Sequence, residues 1–177
     1  CEEACHTDCD DGNACTVGHY TGSAETCDAM CTTTLLEECI DADDCCPANC
    51  NALVDSDCQV ICDGDYYLSS DNQLYMVEDC TFITGDLSIV DSDISSFAVL
   101  DGLTGIGGNL IIENNPQLNS LLGLDLMLGV AGEMHIRNNP LITNLNGLNM
   151  LHTVGLKFEI EENAALSSLD GLESLSQ

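Results

Sequence analysis

From Leu110 onward the chain repeats itself every 24 residues without a gap. Leu110-Ile111-Ile112 recurs as Met134-His135-Ile136 and as Phe158-Glu159-Ile160, Leu121 as Leu145 and Leu169, and Gly123-Leu124 as Gly147-Leu148 and Gly171-Leu172. Backwards the register holds to Phe97 and, past a one-residue deletion, resumes at Leu87-Ser88-Ile89, which makes about four coils. A period in this range means a solenoid: each unit has an apolar face that it cannot bury alone, and stacking on its neighbours supplies the core. Within each triplet the first and third side chains point one way and the middle one the other, as a strand requires. The pattern therefore predicts a mostly β chain with inward columns, each inward side chain contributing roughly 1.5–3 kcal/mol when buried.

Asn115, Asn139 and Asn163 follow the strands at a fixed offset. Their amides can align as a ladder that satisfies turn backbone groups inside the coil. Asparagine in a left-handed turn position is the simpler reading for any one of them, but three in register favour the ladder.

The cysteines divide the chain in two. Twelve of the thirteen lie in residues 1 to 62, the last is Cys80, and the repeats have none. A segment this rich in cysteine and poor in large apolar residues is a disulfide framework, which implies an exported protein. Cys5, Cys9, Cys15, Cys27, Cys31, Cys39, Cys45, Cys46, Cys50 and Cys58 are expected to pair among themselves. Cys62 and Cys80 flank the start of the solenoid and are expected to bond, closing a loop of about 19 residues for ~3 kcal/mol. This division gives a stapled domain over 1–61 and a solenoid over 62–177. Cys1 is left over. It joins another chain, pairs with a cysteine upstream or carries a lipid, and a processing boundary is the favoured origin. A thiolate zinc site is disfavoured by the adjacent Cys45-Cys46 and the absence of repeated Cys-x-x-Cys pairs.

Against 31 Asp and Glu the chain carries only Arg137 and Lys157, for a formal net charge of −29. Such a field repels nucleic acid and anionic membranes and attracts divalent cations. No apolar run approaches the length needed to cross a bilayer. Carboxylates beside half-cystines make candidate calcium donors: Asp8, Asp10, Asp11 and Asn13 in the first turn, then Asp41, Asp43, Asp44, Asp55 and Asp57. None matches the twelve-residue EF-hand loop. Solvated acidic turns are the competing interpretation.

The strand face predicted to point outward carries Ser88, Ile111, His135 and Glu159, with Glu113, Arg137 and Glu161 one step on. That set lacks the clustered bases of a lyase, there is no Trp platform for a sugar, and a lone His135 reads as a surface residue. Tyr66, Tyr67 and Tyr75 are expected to cap the end of the core.

Asp79-Cys80-Thr81-Phe82-Ile83-Thr84-Gly85-Asp86-Leu87-Ser88-Ile89, followed by Gly-Gly-x-Leu-x-Ile and Asn-Asn-Pro-x-Leu units, resembles the receptor L domain, the leucine-rich-repeat-like module of growth-factor receptor ectodomains. The resemblance covers about residues 62–177 and implies a right-handed parallel β-helix whose first coil is closed by a Cys62–Cys80 disulfide. The Asp-Gly-Asn-x-Cys-Thr and Asp-Cys-Cys-Pro-x-x-Cys elements resemble cysteine-rich modules of large bacterial surface proteins. The expected function is a non-catalytic structural or adhesive module at a bacterial cell surface, partnered by other copies of itself or other surface proteins. A receptor-like domain for a protein or glycan is the alternative, and a calcium-dependent polysaccharide-active enzyme a distant third. The sequence stops where another strand is due, so either the chain continues or its open end docks on a neighbour, head to tail, into a fibre.

Overall fold

The computed structural model describes residues 13–21, 30–38, 40, 44–47, 50 and 55–176, with only the backbone of Tyr20. The chain forms two compact units, residues 1–58 and 59–177. The boundary falls three residues before the one that the cysteine pattern suggests, because 59–61 already belong to the solenoid. The Val60 carbonyl accepts the Thr81 and Phe82 amides at 2.8 and 3.3 Å, and Ile61 pairs with Phe82.

In the first unit, β1 (Thr16–Thr21) and β2 (Met30–Leu35) pair antiparallel, Thr16 opposite Leu35 and Thr21 opposite Met30. Threonine and valine suit an extended pleated backbone, but every β2 side chain is exposed, so the hairpin contributes little core. Covalent bonds supply what burial does not: Cys15 is bonded to Cys45 and Cys46 to Cys58. Cys31 and Cys50 are also half-cystines. Cys1, Cys5, Cys9, Cys27 and Cys39 lie outside the described residues.

The second unit is a parallel β-solenoid of about four turns with almost no helix. One five-stranded sheet stacks β4 (Tyr66–Leu68), β6 (Leu87–Val90), β8 (Leu110–Glu113), β10 (Met134–Arg137) and β12 (Phe158–Glu161). The other stacks the two-residue strands β3 (Ile61–Cys62), β5 (Phe82–Ile83), β7 (Gly105–Ile106), β9 (Gly129–Val130) and β11 (Thr153–Val154). The sequence period is the pairing register: Met134 lies opposite both Leu110 and Phe158. Below the one-residue deletion Leu110 pairs with Leu87, and a further coil starts at Tyr66, opposite Leu87.

Inside, like stacks on like. Leu87, Leu110 and Met134 form one column, Ile89, Ile112 and Ile136 a second, and Ile83, Ile106 and Val130 a third, all essentially inaccessible. Phe158 and Ile160 continue the first two columns half-buried, and Leu166, Leu172 and Leu175 do the same for the rows ending in Ile142, Leu148 and Leu151. Gly123, Gly147 and Gly171 recur because each has a positive φ, near 110°, and because a Cβ there would strike the preceding coil's backbone at Phe97, Leu121 and Leu145. Cys62 and Cys80 are bonded, with Cα atoms 5.7 Å apart and Cys80 in the core. The tyrosines correct one expectation. Tyr66 packs against the core, but Tyr67 is 69% exposed, since the central position of β4 faces outward, and Tyr75, at the end of the short helix Asp71–Leu74, is 62% exposed.

Candidate functional site

Alternation along the longer strands sets two outward columns: Tyr67, Ser88, Ile111, His135 and Glu159, then Val90, Glu113, Arg137 and Glu161; of these Ser88, expected to face solvent, is buried. They change from uncharged to densely charged along the stack. His135 Nε2 lies 3.1 Å from Glu133 and 3.5 Å from Glu159, and its Nδ1 lies 3.6 Å from Glu113. Arg137 is paired with Glu161 and Lys157 with Glu159. The hydrogen bond to Glu161, reinforced by its charge, raises the Arg137 pKa, and Glu159 raises that of Lys157. The Lys157 hydrogen bond in turn holds the Glu159 carboxyl below its ordinary range. Both Lys and Arg residues of the chain are thus committed to one mixed-charge patch. Exposed pairs of this kind contribute little to stability and are screened by salt.

The shorter strands present a different face. Ile61, Phe82, Gly105, Gly129 and Thr153 stand in one outward column. Two glycines in succession leave an open trough of about 370 Å³, walled by Phe82, Thr104, Leu128 and Thr153 and lined by no charged residue. The Phe82 ring overhangs Gly105, where an added Cβ would stand 3.0 Å from it. Sequence reasoning missed this trough because isolated glycines read as turns; Phe82 opposite Gly105 becomes visible only once strand register is known.

Three hydrogen-bonded ladders run along the stack. Asn139 Nδ2 donates to the Ile112 carbonyl at 2.9 Å and to Asn163 Oδ1 at 3.3 Å, while its own Oδ1 accepts the Asn115 amide at 3.2 Å and Asn115 Nδ2 at 3.0 Å. Asn163 Nδ2 donates to Ile136, and Asn115 Oδ1 accepts both the amide and the hydroxyl of Ser92. Ser92 is therefore the fourth member, hidden by its shorter side chain and the deletion. A second ladder went unread. Asp65 Oδ1 accepts the Asp86 amide, Asp86 Oδ1 accepts the Asn109 amide, and Asn109 Oδ1 accepts the Glu133 amide, at 2.8, 2.7 and 2.7 Å. A third joins the exposed Asn138 to Asn114, both at positive φ.

Of the candidate cation donors, Asp8, Asp10, Asp11, Asp41 and Asp43 lie outside the described residues. Asn13 Oδ1 accepts the Cys15 amide at 3.0 Å, a turn-forming bond. Asp57 accepts the Asp44 amide at 2.9 Å, and Asp55 accepts the Asp57 amide at 3.0 Å. Among the described residues no three His, Cys, Asp or Glu side chains converge as a metal cage.

No protein family, curated protein or solved structure matches the chain. The disulfides are those of an extracellular or secreted protein. No helix among the described residues is long and apolar enough to cross a membrane.

Proposed function

We propose that the chain is a non-catalytic structural or adhesive module of a bacterial cell-surface protein, of the receptor-L-like type, whose partners are other copies of itself or neighbouring surface proteins. One observation carries this reading: the outward columns of the longer sheet place Arg137, His135, Glu113, Glu159 and Glu161 on one strip, which Glu133 and Lys157, each next to the start of a strand, join through His135 and Glu159, so that all the Lys and Arg of the chain lie there. A strip of interleaved charge is complementary to a like strip or to another mixed surface. Copies that each carry −29 repel at long range, so homotypic contact requires screening salt or bridging cations. Head-to-tail fibre growth is the extended form of the same proposal.

Beads coated with the chain test it. Coated beads are expected to aggregate, or to adhere to cells of the source, in physiological salt. The double variant Arg137→Glu, Lys157→Glu, which leaves the inward columns intact, is expected to abolish this. Equal adhesion by the variant, or none by the wild type, overturns the reading. A receptor-like domain is the second reading, favoured by the uncharged Phe82 trough, whose aromatic wall and hydroxyls suit a neutral sugar ring. Glycan binding lost in Phe82→Ala and retained in the charge variant would select it.

A further inference from the structure

Among the described residues, one buried side-chain polar atom has no hydrogen-bond partner: Asp55 Oδ2. Asp55 is 1% exposed. A carboxylate removed from water without a partner is costly, and in folded proteins such a group is paired with a cation or ligates a metal. The first unit has no Lys or Arg, and the two that the chain carries, Arg137 and Lys157, are paired with Glu161 and Glu159. The carboxyl is also held in place. Its Oδ1 accepts the Asp57 amide, the Asp55 carbonyl accepts the Cys58 amide at 3.2 Å, and Cys58 is bonded to Cys46. Asp57 in turn accepts the Asp44 amide, so the short turn over 55–58 is tied at both ends. With Oδ1 engaged by the Asp57 amide, Oδ2 is the atom left to be satisfied.

We infer that Asp55 Oδ2 is a ligand to a hard divalent cation of the calcium type, bound within the disulfide-closed turn of the cysteine-rich unit. An oxygen donor set of this kind selects calcium over softer metals. Asp57 is the other carboxylate of the same turn, and backbone carbonyls and water would have to complete the shell. So low a ligand charge places the affinity at the weak end, about 10⁻⁴–10⁻³ M, the range of extracellular calcium modules. The inference does not rest on the adhesive reading, and either can fail without the other.

Calcium titration of the intact, oxidised chain in physiological salt, followed by calorimetry and amide NMR, is the test. One saturable site is expected in that range, with the largest shift at the Asp57 amide. Asp55→Asn is expected to weaken it roughly tenfold or more, while Asp170→Asn, which removes an exposed acid of the solenoid, leaves it unchanged. If Asp55→Asn does not fold, the wild-type shift map decides alone. Absence of a saturable site, shifts spread over the exposed acids, or undiminished binding by Asp55→Asn overturns the inference.

Discussion

The two units bury their interiors by opposite means. In the solenoid, identical positions of successive coils touch, so Ile89, Ile112 and Ile136 are each other's packing partners and no cysteine is needed beyond Cys80. In the cysteine-rich unit the only fully buried apolar side chain described, apart from Pro47, is Cys45, itself half of a disulfide. Repetition stacks apolar side chains into a continuous core, while a non-repetitive segment poor in large apolar residues depends on cross-links that restrict its unfolded state. The Cys62–Cys80 bond marks the changeover: it sits in the first coil, where the spacing to the next falls to 21 residues and the period is not yet established.

Reducing the chain separates the two means with the largest effect. Loss of a native disulfide costs about 2–5 kcal/mol, so a reductant is expected to unfold the first unit while the amides of β8 and β10 stay protected from hydrogen exchange. Simultaneous loss of protection in both units would break the contrast. Ile136→Ala attacks the opposite side: it should destabilise the solenoid by about 2–5 kcal/mol in denaturant melts and leave the oxidised first unit unaffected.

Asn139→Ala should cost less, about 1–3 kcal/mol, since it leaves the Ile112 carbonyl and the Asn115 amide without their partner inside the coil. An unchanged melting curve would mean that the columns alone hold the stack. Smallest is the effect of pH on the outer strip. The folded-state pKa of Glu159 is lowered, so its contribution is present above the ordinary carboxylate range and lost as pH falls through the folded value. That of Lys157 is raised, so its contribution is present below the ordinary lysine range and lost as pH rises through the folded value. Both losses should be slight, should vanish in high salt, and should be absent in Lys157→Gln, as read by melting temperature across pH.

What was legible in the sequence follows the same divide. Strand positions, inward columns and the Asn115, Asn139 and Asn163 positions could be read because a repeat states its own register. Tyr67 was misplaced for the converse reason: its coil is 21 residues from the next and shows no repeat, so nothing indicated that it sits mid-strand. The Asp65, Asp86, Asn109 and Glu133 ladder stayed hidden because its members differ in type while their backbone geometry is shared. Asp55 could be named among many acids, but burial of one carboxylate oxygen is a tertiary property that spacing does not encode.

Contacts between protons on residues 24 apart, measured by NMR on the isotopically labelled chain, test the solenoid most directly. Residues 110–113, 134–137 and 158–161 should give a continuous i to i+24 series between neighbouring coils, in the parallel pattern of strands about 4.8 Å apart. Sequential helical contacts across these segments, with none at a spacing of 24, would contradict the stacked core on which the rest depends.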